Sequence, residues 1–232
     1  MTQIHSRTGS QPVAYLDVES RATFVVQTYL HLLGSICAFA AIEIYLFKSG
    51  IAEPMAAAML GTNWLFVLGA FMIVGWLASS ASHRATSMLT QYGALILFVA
   101  AEAVIFVPLL FMAQYYAPGV IESAATVTLI GFAGLTLVAF VSRKDFSFLG
   151  SVLRWGFIIA LVLIAASVLF GFNLGTFFSV AMIALAGGAI LYKTSGILHH
   201  YPQDRHVAAS LELFASVALL FWYVLQLFMS RR

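Results

Sequence analysis

The sequence predicts an all-α membrane protein, a seven-transmembrane-helix bundle, and three observations carry that expectation. The 232 residues are 62% hydrophobic and only 9% charged, whereas a water-soluble domain has roughly 25% charged residues to face its solvent. Seven apolar runs recur along the chain, and a run of about 20 helical residues crosses a hydrocarbon layer roughly 30 Å thick. The polar segments between the runs are too short to fold as soluble domains. Residues 1–22 therefore read as a polar tail, and residues 23–232 as a single transmembrane domain.

The tail carries Gly9, Pro12 and two arginines and is expected to be loosely ordered. It lacks the early apolar core and small-residue cleavage site of a signal peptide. The first span is residues 23–47. Residues 48–62, with Gly50 and Pro54, read as a loop. The second span, 63–80, has Trp64 and Trp76 near its ends, as interfacial aromatics would be. Ser82, His83 and Arg84 read as a tight turn. The third span, 87–116, holds Glu102 and Pro108, and Pro118-Gly119 ends it. The fourth is 123–141 and the fifth 152–170, with a polar loop, 142–150, between them. After a short connection at 171–175 come the sixth span, 176–192, a polar loop, 193–205, and the seventh span, 206–229.

Lysine and arginine set the orientation, because short cytoplasmic loops collect them. With the N-terminus inside, Arg7, Arg21, Arg84, Arg143, Lys144, Arg154, Lys193 and Arg205 are cytoplasmic. Lys48, Arg231 and Arg232 are outside. Seven crossings then put the C-terminus outside, in what reads as a bacterial inner membrane. A net charge of +2 offers no basic face for nucleic acid. The single cysteine, Cys37, excludes an internal disulfide framework.

The informative side chains are the acids inside the spans, since a carboxylate at the bilayer centre costs about 2.5–3.5 kcal/mol on insertion scales. Glu102, in the third span, either bonds a neighbouring helix as a neutral acid or belongs to an ion or proton path. Glu212 lies two turns into the seventh span. Ser216 sits one turn deeper on the same face, because positions i and i+4 align, and Ser210 falls on another face. Lys193, at the end of the sixth span, either pairs with Glu212 or snorkels to the interface. Glu43, near the outer end of the first span, is expected to reach water. His199, His200 and His206 read as solvated loop histidines, with no constellation of metal-ligand spacing around them. Residues 188–194 lack the second glycine of a phosphate loop. No protease or hydrolase motif occurs. The expectation is a non-enzyme without metal or cofactor.

Residues 143–150 read Arg143, Lys144, Asp145, Phe146, Ser147, Phe148, Leu149, Gly150. This segment resembles the signature loop that follows the fourth helix in the Bax inhibitor-1 family of transmembrane proteins. Glu102 before Pro108, the Ile-Leu-Tyr that ends the sixth span and a leucine-rich seventh span containing Glu212 agree with that family. The resemblance implies seven helices with the N-terminus inside, and a pH-sensitive leak of calcium. In bacterial relatives it also implies an aspartate pair, one after the Leu-Tyr of the sixth helix and one within the seventh. Here those positions hold Lys193 and Ser216, so the chain is similar to a divergent bacterial-type member. Lys193 would favour an ionised Glu212 and oppose a divalent cation. Two readings therefore stand. One is a channel for calcium, another cation or protons, with Glu102, Lys193, Glu212 and Ser216 as its candidate residues. The other is a non-conducting scaffold that modulates other membrane proteins, surrounded like the first by membrane lipid.

Overall fold

A computed structural model describes residues 12–84, 87–142 and 144–230. Arg7, Arg143, Arg231 and Arg232 lie outside the described residues. The helices are α1 (Val18–Lys48), α2 (Ala52–Leu60), α3 (Trp64–Arg84), α4 (Met88–Tyr116), α5 (Val120–Ser142), α6 (Leu149–Phe170), α7 (Gly175–His199) and α8 (His206–Met229). All but α2 are long and apolar enough to cross a membrane. Among the described residues no strand forms; the one extended pairing is an isolated bridge between Pro12 and Pro202.

Helix α8 is the axis of the bundle. It packs on α1, α3, α4, α5 and α7, and Leu211, Leu213 and Leu225 are fully buried on it. Apolar burial gives no drive between helices in lipid, so close backbone approach at small residues supplies much of the contact. Ala208, Ala209 and Ser210 on α8, and Ala186 and Ala189 on α7, are buried in that way. Helix α6 lies outermost, on α7 and α3, and presents Trp155, Ile159 and Val162 outward. Outward-facing apolar side chains suit a lipid surround.

Four local features differ from the sequence expectations. Residues 52–60 form helix α2 instead of a loop. Their Ala-Glu-Pro-Met-Ala-Ala-Ala-Met-Leu sequence is alanine-rich, and Pro54 falls in the first turn, where backbone N–H groups have no intrahelical acceptor. Its Ala52 and Ala56 pack on Val107. Helix α7 runs on to His199, so Lys193, Thr194 and Ser195 are helical and not in a loop. Helix α3 likewise runs through Ser82 and His83 to Arg84. Helix α1 starts at Val18, capped by the Asp17 carboxylate, which accepts from Ser20 N–H at 3.0 Å. That bond holds the Asp17 carboxyl below its usual range. Just before it, residues Val13–Tyr15 form one 3-10 turn. Val13 is fully buried, and its N–H donates to the Tyr201 carbonyl at 2.8 Å.

The α6–α7 connection is tight because Gly171, at φ 71°, ends α6 in the left-handed region and Gly175, at φ 70°, opens α7 in the same way. A β-carbon there costs about 1–2 kcal/mol. Replacing Gly171 by alanine is accordingly expected to lower unfolding stability in mixed micelles by about 1 kcal/mol without changing the helix content seen by circular dichroism.

Candidate functional site

One end of the bundle gathers the termini of α3, α5 and α7 and the starts of α4, α6 and α8, together with most of the polar chemistry. There Glu212 is gripped from two sides. The Lys193 ammonium on α7 donates to Glu212 Oε2, and His83 Nε2 at the end of α3 pairs with Oε1. The Glu212 side chain is 16% exposed and that of Lys193 28%, so both charges are largely out of solvent and each needs the other. Ser216 lies one turn deeper on the same face, and its hydroxyl donates to the Glu212 carbonyl at 3.0 Å. Tyr201 closes the cluster from the α7–α8 connection, its ring 6.2 Å from His83 and 6.5 Å from Phe24. Burial first, and the Glu212 charge next, push its phenol well above the ordinary value, so it remains a neutral hydroxyl.

Lys193, Glu212 and Ser216 line a cavity of about 300 Å³, with Ser79 and Gly75 of α3, Phe98 of α4 and Phe157 of α6. A second cavity, of about 740 Å³, opens at the opposite end between α3, α4, α6, α7 and α8. Its polar lining is uncharged: Ser167, Asn173, Ser179, Tyr223, Gln226 and Ser230. An apolar cluster spans the distance between the two. Phe157 and Leu219 line the first cavity and Phe178, Trp222 and Tyr223 the second, and these side chains pack together with Ala160 and Met182.

Glu102 does not join the other three candidates. It is 6% exposed on α4, has no hydrogen-bond partner among the described residues and lines neither cavity. It lies about 6 Å along the helix from Phe98, at four residues of 1.5 Å rise, and six residues before Pro108. Those two residues line the first and second cavities respectively, so Glu102 sits at the height of the apolar cluster. Glu43 does not reach water: it is 6% exposed, and neither carboxyl oxygen has a partner. The crossing of α1 over α8 and the neighbouring α5 enclose it. His206 is also buried, with its ring 5.1 Å from that of His31. His31 Nδ1–H donates to the Gln27 carbonyl at 2.7 Å, leaving Nε2 to accept from the Tyr92 hydroxyl at 2.8 Å. Among the described residues no group of three or more His, Cys, Asp or Glu side chains is placed to hold a metal ion.

The segment 144–150 is bolted to the end of α7. Ser195 Oγ accepts the Phe146 N–H at 2.9 Å and lies 3.4 Å from the Lys144 carbonyl and from Asp145 Oδ1. Asp145 accepts the Ser147 N–H at 2.9 Å and pairs with His200 at 3.0 Å. A β-carbon at Gly150 would stand 3.1 Å from the Tyr192 ring, so the glycine lets α6 approach the turn of α7 that carries Lys193. Two partners in this region escape a reading by sequence spacing. His83 is 129 residues from Glu212, and Ser195 is one of many serines; only helical continuation past Lys193 puts it under the loop.

This arrangement defines a class: an integral membrane protein of seven spans, with a largely buried ion-paired glutamate at one end of the bundle. Comparison with known proteins narrows it. The profile of the family described as "Inhibitor of apoptosis-promoting Bax1" matches residues 21–232, and the chain belongs to the Bax inhibitor-1 family. An uncharacterised protein of Pseudomonas aeruginosa is 33% identical over 110 residues, which is 47% of this chain and 49% of that one. The match thus spans about half of the Pseudomonas protein. The Golgi anti-apoptotic protein of vaccinia virus (strain Lister) is 27% identical over 181 residues, 75% of this chain and 73% of its own length.

Two outcomes follow from the geometry. Because each charge of a buried pair compensates the other, Lys193→Met and Glu212→Leu are each expected to destabilise the fold. The double variant should recover part of the loss, with a coupling of about 1–2 kcal/mol in a double-mutant cycle read by denaturant unfolding. The Ser147 N–H, and after it His200, hold the Asp145 carboxyl below its ordinary value of 3.8. A lowered carboxylate stabilises the fold above its unfolded pKa and loses that effect as pH falls through its folded pKa. Wild-type protein should therefore melt above Asp145→Asn at neutral pH, and the gap should close as the pH is taken below about 3.8.

Proposed function

We propose that the protein is a pH-sensitive cation leak, for calcium or protons, held shut at one end by the Lys193–Glu212–His83 bridge. The observation that supports this reading most is the pair of cavities between the same five helices, α3, α4, α6, α7 and α8, separated by an apolar cluster. The bridge joins α3 and α7 to the central α8. Lys193 acts as a tethered counter-cation on Glu212, at the place where a permeating ion would dwell. Neutralising Glu212 removes the charge that both partners share and frees α3 and α7 to part from α8. Parting them widens the apolar cluster between Phe157, Met182 and Trp222, and Glu102 becomes the next carboxyl on the path. In this reading the bridged end faces the cytoplasm of a bacterial inner membrane. The concentration of Arg84, Lys144, Arg154, Lys193 and Arg205 at that end supports the orientation, and the Pseudomonas relative supports the setting.

The competing reading is a non-conducting scaffold for other membrane proteins. The same ion pair favours it, since an ammonium already neutralises Glu212 and like charges oppose entry of a divalent ion.

Reconstituted liposomes loaded with a calcium- or proton-sensitive dye separate the two. Wild-type protein is expected to give slow, pH-dependent flux. Glu212→Gln should raise the flux several-fold and flatten its pH dependence. Lys193→Asp with Ser216→Asp, which places aspartates at the two positions the family resemblance implies, should favour calcium. Flux equal to that of empty liposomes in all three proteins selects the scaffold.

A further inference from the structure

The larger cavity, at the end of the bundle opposite Glu212, has two unlike flanks. On α8, Trp222 and Tyr223 are neighbours in sequence and so point about 100° apart around the helix. Trp222 turns toward α3 and α4. Its ring lies 6.0 Å from that of Trp64, at 27° between planes, and 4.9 Å from that of Phe106. Pro108, Leu109 and Met112 extend this flank, which is indole and hydrocarbon surface. Tyr223 turns toward α7, its ring 5.9 Å from that of Phe178. On its side stand Ser167, Asn173 and Ser179, with Gln226 one turn along α8. Ser179 and Tyr223 are each 6% exposed. Among the described residues their hydroxyls and the side-chain amides of Asn173 and Gln226 have no hydrogen-bond partner.

No acid, base or histidine is among the described residues of this lining. A charged ligand would give up hydration there without gaining a counter-charge. A hydrocarbon chain would leave four polar side chains unpaired. Water would satisfy those four but keep the indole, proline and leucine surfaces wet. What fits both flanks is a flat, uncharged ring with apolar C–H faces and a rim of hydroxyls, which is the chemistry of a pyranose. At about 740 Å³ the cavity is of ordinary ligand-site size, roughly 300–1,000 Å³. We propose that this cavity binds an uncharged glycosyl group. A C–H face of the sugar lies against the indole flank, and its hydroxyls exchange hydrogen bonds with Tyr223, Gln226, Ser179 and Asn173. The group arrives as a free saccharide or as the head of a membrane glycolipid. The site rests on its own lining and stands whether or not the protein conducts ions.

The test uses the full chain in lipid nanodiscs and saturation-transfer NMR on methyl β-glucoside. Methyl β-glucuronide, which carries a carboxylate on the same ring, is the control. Saturable transfer to the glucoside is expected above that of empty nanodiscs, and the glucuronide should bind at least about ten-fold more weakly. Tyr223→Phe and Gln226→Leu should each weaken the glucoside about two- to ten-fold, the range of one neutral hydrogen bond, and the double variant should weaken it further. Hexyl β-glucoside, used below its micelle concentration, separates the two sources. After subtraction of partition into empty nanodiscs, a gain of about ten-fold or more over the methyl compound identifies a glycolipid head. A smaller gain identifies a free saccharide. Every variant is checked for monodispersity and for wild-type helix content first. Transfer to the glucoside no greater than in empty nanodiscs would overturn the proposal. So would equal binding of the glucuronide, or unchanged affinity in the folded double variant.

Discussion

The structure is organised around one constraint: Glu212 carries a charge two turns inside a helix that is otherwise almost wholly apolar and almost wholly buried. A carboxylate there is tolerable only with partners delivered by other helices. Lys193 arrives on α7 and His83 on α3, so the same contact that neutralises the acid also fixes how three helices meet. Tyr201 and the docked Val13 complete the enclosure from the connection and the tail. Breaking the contact therefore disturbs the electrostatics and the helix arrangement together.

The segment 144–150 acquires a physical meaning in this setting. Asp145, Phe146 and Ser147 make no contact with Glu212. They hold the last turns of α7 through Ser195 and His200, while Gly150 allows close approach to Tyr192, the neighbour of Lys193. The loop is a clamp on the helix that presents the lysine. A motif can thus lie outside the ion-bearing residues and still set their position.

The seven spans were legible because each is a long apolar run, and lipid demands that such a run satisfy its own backbone as helix. Boundaries were less so. Helix α7 outran its apolar segment by seven residues, since Lys193, Thr194 and Ser195 find partners or burial beside α5, α8 and the segment 144–150. Helix α2 was hidden because nine residues are too few to register as a span, and its alanines gain their place only by packing on Val107. Glu43 looked like an interfacial acid from its distance to Lys48, but burial depends on which way the helix is turned, and α8 decides that.

The sequence by itself determined that this chain lives in lipid, how many times it can cross, and which few charges must be compensated there, because those are matters of composition and run length. Only the tertiary structure decided which partners do the compensating. His83 meets Glu212 across 129 residues of chain, Glu102 stays apart from both, and Glu43 is buried between helices in place of reaching water. Local pattern carries no information on helix rotation about its axis, and rotation is what settles each of those three outcomes.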